Sequence, residues 1–279
     1  MVNNEVTNKD AANRNIKISA CLVVYNEEKN IRRCLASLRG VVDEIIVVHD
    51  VGCRDKTLEI CREYGAKIFI RPHLGIAEVH SVFAINQTQG DWLLKMDADE
   101  FLSDELRDNL RRLVDAAEIN HISAYSFCWL FRADNYFIPG VWRKPILFKK
   151  LDLYYFTMPQ LSWQTRGRLE KSRYILGHMP KDYASPDYWI KQKKWAKIQA
   201  EYILKNFEEL DNFQAEEADW VKVYSFSRRH AGSLFLPILK FLKSFLENIL
   251  RGAGLQNSWR DGLYNFYLGK DLYDLIHHR

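Results

Sequence analysis

Trp92-Leu93-Leu94-Lys95-Met96-Asp97-Ala98-Asp99-Glu100-Phe101 joins a short apolar run with strand propensity to two carboxylates, two residues apart, at its C-terminal end. In an extended backbone, residues i and i+2 point to the same side, so Asp97 and Asp99 can face one ion together. Hard cations such as Mg²⁺ and Mn²⁺ prefer carboxylate oxygens and share their other positions with water and phosphate, which a strand end leaves open. In isolation the triplet reads as a solvated strand-to-helix turn, with Ser103 and Glu105 marking the helix start behind it. Its position among the other strands changes that reading.

Upstream, β-rich runs alternate with amphipathic helical ones. Residues 16–24 read as a buried strand and 27–39 as a helix with Ile31, Leu35 and Leu38 on one face. A strand at 44–49, a helix at 55–64, a strand at 67–70, a helix at 76–88 and the strand at 92–96 follow. Strands separated by helical segments of this length pair in parallel through right-handed crossovers, and ligands sit outside the carboxyl ends of such strands. Asn26, Glu27 and Glu28 follow the first strand, Asp50, Gly52 and Asp55 the second, and Asp97 with Asp99 the fourth. Like charges crowded on one rim raise the free energy unless a cation or hydrogen-bond donors offset them, so this rim is expected to be a site.

With 279 residues, 47% of them hydrophobic, the chain can bury an ordinary core. Residues 1–15, polar and rich in Asn, lack the apolar core of a secretory signal and are expected to be a disordered leader. Cys21, Cys34, Cys53, Cys61 and Cys128 are odd in number and form no C-x-x-C pair, which points to reduced thiols and away from a disulfide framework or a zinc site. The net charge of +4 sets 40 basic against 36 acidic residues and identifies no partner. No basic face with interleaved aromatics stands out in the first half, and an acidic rim repels phosphate unless a metal intervenes, so nucleic acid is not an expected partner.

A helix at 104–118 precedes an aromatic β-rich stretch, 121–158, with Trp129, Phe131, Tyr136, Phe137, Trp142 and Phe148 and a turn at Pro139-Gly140. From Pro186 the pattern is helical: 187–209, 216–230, 234–250 and 259–276. The third of these carries Leu234, Phe235, Leu236, Ile238, Leu239, Phe241, Leu242, Phe245, Leu246, Ile249 and Leu250, interrupted by Lys240, Lys243 and Glu247. It is too short and too charged to span a bilayer comfortably. It reads as a core helix or as an interfacial helix with Arg228, Arg229, Lys240, Lys243 and Arg251 toward anionic headgroups. Lys191, Lys193, Lys194 and Lys197 read as a solvated helix face.

The N-terminal half resembles a family 2 glycosyltransferase of the GT-A fold, on Val23-Val24-Tyr25-Asn26-Glu27-Glu28, Asp50-Val51-Gly52-Cys53-Arg54-Asp55-Lys56-Thr57, Gly90-Asp91-Trp92 and Asp97-Ala98-Asp99-Glu100. Weaker likeness runs through Lys144 to Lys149, His178 with Ser185, and Arg260-Asp261-Gly262, as in the branch with lipopolysaccharide-core glucosyltransferases. The resemblance implies an α/β GT-A domain over 16–185, a mostly parallel sheet flanked by helices, with a helical C-terminal region over 186–279. It implies that Tyr25 and Glu27 border the base, Asp50 bonds uracil or its ribose, Asp97 contacts ribose and metal, and Asp99 ligates the metal on the diphosphate. His178 is a candidate third ligand, with a structural histidine as the alternative.

Several positions depart from the family pattern. Val51 replaces a small polar or acidic residue, Ser81-Val82 a basic-Asn pair, and Ile146 an Arg. Pro159-Gln160 stands where a His-Glu pair is usual, which leaves the catalytic base unassigned; Glu170 and Glu100 are the available candidates, each also readable as a salt-bridge or capping residue. The expectation is a metal-dependent (Mg²⁺ or Mn²⁺), inverting hexosyltransferase that uses a UDP-sugar and a glycan or lipid-linked envelope acceptor. It would be cytoplasmic and peripheral on the inner face of the cytoplasmic membrane. The alternatives are a degenerate nucleotide-binding scaffold and a nucleotidyltransferase; against the latter, Tyr25-Asn26-Glu27-Glu28 lacks a glycine-rich basic phosphate loop.

Overall fold

The computed structural model describes residues 15–72, 76–133, 136–138, 143–179, 186–229, 233, 235–250 and 255–277. The expected leader, the Pro139-Gly140 turn, Trp142, Ser185, Leu234 and Arg251 lie outside them, apart from residue 15. The side chains of Phe131, Tyr136, Phe137, Arg228 and Arg229 are also outside the description.

The first four strands form where expected: β1 (Ile18–Val24), β2 (Glu44–Asp50), β3 (Lys67–Arg71) and β4 (Trp92–Met96), all parallel, in the order β3-β2-β1-β4. β1 is almost wholly buried, as its mainly apolar run, interrupted only by Ser19, requires of a strand covered on both faces. The helices between them are α1 (Ile31–Leu38), α2 (Thr57–Glu63) and α3 (Ser81–Gln87). α1 starts later than expected because the amides of Asn30 and Ile31 close a turn on the Glu27 carbonyl, at 2.9 Å each. The expected helix at 76–88 divides into a 3₁₀ turn, Ala77–His80, and α3.

Between the acidic triplet and α4 (Asp104–Asn120) lies a short strand that the sequence did not suggest, β5 (Glu100–Leu102). The Ser103 hydroxyl caps α4 by accepting the Leu106 amide at 3.2 Å, as expected. The aromatic stretch supplies β6 (Ile122–Ala133), β7 (Tyr136–Ile138), β8 (Arg143–Lys149) and β9 (Leu153–Phe156); beyond it come β10 (Gln164–Thr165), β11 (Arg168–His178) and β12 (Asn212–Phe213). The large sheet continues β4-β8-β6-β11-β5, with β7 on β6. β5 runs antiparallel to β11 and sets Glu100 opposite His178. Gly177 faces Phe101 there, and a Cβ at 177 would lie 2.4 Å from the Phe101 ring.

The C-terminal region holds α5 (Pro186–Ile203), α6 (Glu217–Arg229), α7 (Leu236–Leu250) and α8 (Leu255–His277). The expected helix at 187–209 ends early, and a capping box between Asn206 and Glu209 begins a new 3₁₀ turn. This region shares its core with the N-terminal one. Phe156 and Met158 pack with Ala196, Ala200, Ile203, Trp220, Leu268 and Leu272, and β12 pairs with β9 in a small second sheet.

α7 is inverted relative to an ordinary amphipathic helix. Ile238, Leu239, Leu242, Leu246 and Leu250 are exposed along one stripe, while Asn248 is buried and donates to the Asp261 carboxylate of α8 at 2.9 Å. Asn265 donates to the Ser244 hydroxyl at 3.2 Å. α8 reaches α7 through glycines: a Cβ at Gly262 would meet the Phe241 ring at 2.8 Å, and one at Gly269 the Pro237 backbone at 2.7 Å.

Candidate active site

The carboxyl ends of β1 and β4 open onto a cleft of about 590 Å³, lined by Glu27, Glu78, Asp97, Asp99, Lys95, Lys144 and the rings of Trp129, Trp163 and Trp195 among others. The acidic turn is built by its own residues. The Glu100 amide donates to the Asp97 carbonyl at 3.0 Å, and the Asp97 amide donates to Glu100 Oε2 at 2.9 Å. The Glu100 side chain is fully buried, whereas that of Asp97 is 55% exposed and that of Asp99 16%.

Two groups from the far half of the sheet meet this turn. His178, buried at the end of β11, places Nε2 3.1 Å from Asp99 Oδ2, and its ring lies 4.4 Å from that of Trp129. Lys144, on β8, donates to Asp97 Oδ2 at 2.5 Å and to Glu100 Oε1 at 2.6 Å. Burial raises the Glu100 carboxyl above its ordinary value, which the Lys144 ammonium opposes. Burial alone would lower Lys144, yet the two carboxylates hold its ammonium above the ordinary lysine value. Burial lowers Lys95, and Asp97 partly counteracts it.

The first-strand loop is held by the loop after β2. The Asp55 carboxylate accepts the Glu28 amide at 3.0 Å, the Thr57 amide at 3.0 Å and the Thr57 hydroxyl at 2.5 Å, and Thr57 Oγ1 in turn accepts the Glu27 amide at 2.8 Å. Against the desolvation of its site, these bonds and the Cys53 thiol keep Asp55 well below the usual carboxylate range. Asp55 is thus a brace between two loops. Tyr25, exposed, lies beside the Gly52 turn, where a Cβ would approach its ring to 3.6 Å. Asp50 is buried, with His80 Nε2 3.3 Å from Oδ1.

The structure therefore brings Glu27, Asp97 and Asp99 to one cleft, with His178 joined to it through Asp99. Tyr25, just past β1, and Asp50, at the end of the neighbouring β2, stand outside that lining. It does not bring Glu170 there. Glu170 lies on β11 eight residues before His178, roughly 25 Å along a strand. It is paired with Arg168 on the surface, and the hydrogen bond from that guanidinium lowers its carboxyl below the ordinary value. Glu100 is also corrected as a candidate base, because it is buried beneath Lys144 and bonded to the Asp97 amide.

Sequence reasoning missed Lys95, Glu78, Trp163 and Trp195; Lys144 entered only through the weaker family likeness, and Trp129 only within the aromatic stretch, readable as core or as the floor of an acceptor pocket. The i, i+2 rule puts Lys95 on the side of Asp97 at the end of β4 and could have found it, whereas Asp99 lies beyond it in the 97–100 turn and not on extended backbone. Lys144 and Trp195 arrive from distant elements and have no local signal. Gln160, the second residue of the Pro159-Gln160 replacement, takes the left-handed region at φ 64° and lines the cleft, its backbone N–H donating to Glu78 Oε1 at 3.0 Å.

As a donor set, two carboxylates and one imidazole suit Mn²⁺ or Mg²⁺. Among the described residues no three such side chains already gather around one point. They fit an open site, in which a cation takes its remaining donors from a phosphate ligand.

The model of the family described as glycosyl transferase family 2 matches residues 19–178. A Rickettsia felis protein described as an uncharacterized glycosyltransferase is 38% identical over 119 residues, 43% of this chain and 41% of that protein. The lipopolysaccharide core biosynthesis glycosyltransferase LpsC of Rhizobium meliloti is 30% identical over 108 residues, 37% of this chain and 39% of LpsC. The matched region thus spans about two fifths of the length of these curated relatives, 41% and 39%. Among solved structures, the Pyrobaculum calidifontis mannosyltransferase PcManGT, in complex with GDP-Man and Mn²⁺, aligns over 95% of this chain and 92% of its own, with a TM-score of 0.51 at 13% identity. That likeness concerns the fold alone, and it agrees with the GT-A architecture.

Proposed function

The chain belongs to glycosyl transferase family 2, and from that premise we propose that it moves a hexose from a UDP-sugar to a glycan or lipid-linked acceptor of the cell envelope, with inversion. The observation that carries this reading is the Asp97–Asp99 turn at the carboxyl end of a parallel sheet, with His178 Nε2 3.1 Å from Asp99. Asp97, Asp99 and His178 would hold Mn²⁺ or Mg²⁺. The cation supplies positive charge where negative charge develops on the departing diphosphate.

The chain's own residues provide the frame. Glu27, held by Thr57, and Tyr25, beside the Gly52 turn, border the base. Asp50, anchored at His80, accepts a hydrogen bond from the uracil N3–H or the ribose. Trp129, Trp163 and Trp195 offer flat apolar faces to sugar rings. Residues 16–185 would carry the donor chemistry, and 186–279 would close the acceptor side through Trp195.

A panel of nucleotide sugars with purified protein and Mn²⁺ or Mg²⁺ tests the reading. Hydrolysis or transfer from a UDP-sugar is expected, and none with any UDP-sugar while the protein is folded refutes it. The binding-only alternative is favoured by one observation, the displacement of both candidate bases from the cleft. It predicts calorimetric UDP binding with no turnover on envelope extracts.

No helix among the described residues is long and apolar enough to cross a membrane. The exposed stripe of α7 supports a place at the inner surface of the cytoplasmic membrane, with exposed Lys243 at its edge. Phe241 and Phe245 pack with Trp259, at 5.1 and 6.4 Å between ring centroids, so the stripe is better tested elsewhere. Leu242→Asp with Leu246→Asp is expected to lower cosedimentation with phosphatidylglycerol-rich liposomes at least fivefold while the thermal midpoint stays near wild type. Unchanged cosedimentation refutes the membrane reading.

A further inference from the structure

Lys144 stands where a metal would be expected to draw Asp97. Its Nζ lies 2.5 Å from Asp97 Oδ2 and 2.6 Å from Glu100 Oε1, and 5.8 Å from the centre of the Trp129 ring. The two carboxylates that it contacts differ in their burial. Glu100 is fully buried, and removing its cation would leave an uncompensated charge in the interior, which fixes Lys144 to it. Asp97 is more than half exposed, and solvent can take over its side of the contact at little expense. The ammonium is therefore held permanently from below and only loosely from the cleft.

We infer that Lys144 is a positioning residue that keeps the place of the divalent cation on Asp97 and yields that carboxylate only when metal and nucleotide diphosphate arrive together. The inference rests on the metal-dependent reading above and extends it to the order of binding. Without ligand, Asp97 is already engaged by an ammonium, and Asp99 faces the His178 imidazole. A cation would then have one carboxylate fewer to hold it and more of its positions left to water, which weakens its binding. A diphosphate brings further donors and negative charge. With Asp97 released, the ammonium would remain on Glu100 at the cleft wall and could supply a second positive charge to the diphosphate. Metal and nucleotide should accordingly raise one another's affinity by the same factor.

The test is Mn²⁺ binding to the full chain, followed by electron paramagnetic resonance of the free ion, with and without saturating UDP. Wild type is expected to bind Mn²⁺ at least 10-fold more tightly with UDP than without. In Lys144→Met with Glu100→Gln, which removes the buried charge pair together, Mn²⁺ alone is expected to bind about 10-fold more tightly than in wild type, and the gain from UDP shrinks. Lys144→Gln, which retains a donor for Glu100, serves as the second variant with the same expectation should the double variant not fold. Lys144→Arg, which keeps the charge, should retain the wild-type gain within about threefold. If neither variant improves binding of Mn²⁺ alone while all proteins bind Mn²⁺ with UDP, the inference about Lys144 is overturned and the functional reading stands. If wild type binds no Mn²⁺ even with UDP, both fall.

Discussion

Asp99→Asn is expected to lower kcat/KM for sugar transfer by about 10³-fold, about 4 kcal/mol of transition-state stabilisation. The substitution keeps the volume of the side chain and one oxygen, so the turn between β4 and β5 can persist. It removes the negative charge that faces His178 at 3.1 Å and that would hold the cation against the diphosphate. The loss should fall chiefly on kcat, because charge on the leaving group is largest in the transition state. Titration with Mn²⁺ in the presence of UDP should show affinity at least 10-fold weaker, while UDP without metal binds within twofold of wild type. A variant that turns over normally would remove Asp99 from the chemistry and leave the cleft without its central group.

Gly90→Ala is expected to be the most damaging small substitution in the sheet, destabilising by about 3 kcal/mol. A Cβ at 90 would lie 2.4 Å from Ser19 Oγ, 2.7 Å from the Ser19 backbone nitrogen and 3.0 Å from the Trp92 carbonyl. A side chain can rotate away, but two of those three atoms are backbone, in the parallel pairing of β1 with β4. The same place carries a hydrogen-bond chain: the Gly90 amide donates to Ser19 Oγ at 2.8 Å, and that hydroxyl donates to Glu44 Oε1 at 2.6 Å. The thermal midpoint should fall by roughly 8 °C. Adding Ser19→Gly removes only the hydroxyl clash, so it should recover part of the loss and no more. A midpoint within 1 °C of wild type for Gly90→Ala, on the order of thermal-melt precision, would show that the strands can separate there freely.

The parallel half of the sheet was legible because its signals are local. Buried strands such as 18–24 carry mainly apolar runs, and α1 declares itself through Ile31, Leu35 and Leu38. The acidic groups at strand ends followed from topology, since parallel crossovers bring those ends together. What lay beyond reach depends on pairing between distant segments. β5 is three residues long and exists because Gly177 admits the Phe101 ring, a relation across 76 positions that no window of sequence displays. The setting of His178 beside Asp99 follows from that same pairing. Glu170 illustrates the converse. It shares a strand with His178, yet the strand is long enough to carry it far from the cleft. Polarity alone also misleads about α7, whose leucines face outward while Asn248 is buried on the α8 side.

The wall opposite the aspartates is suspended from the C-terminal helices by two bonds in series. Tyr264 on α8 donates to Gln199 Oε1 at 2.8 Å, and Gln199 Nε2 on α5 donates to the Pro159 carbonyl at 3.0 Å, next to Gln160. α8 is also the helix that lies against α7. The α7–α8 pair and the Pro159–Gln160 edge of the cleft are thereby tied along one line of hydrogen bonds.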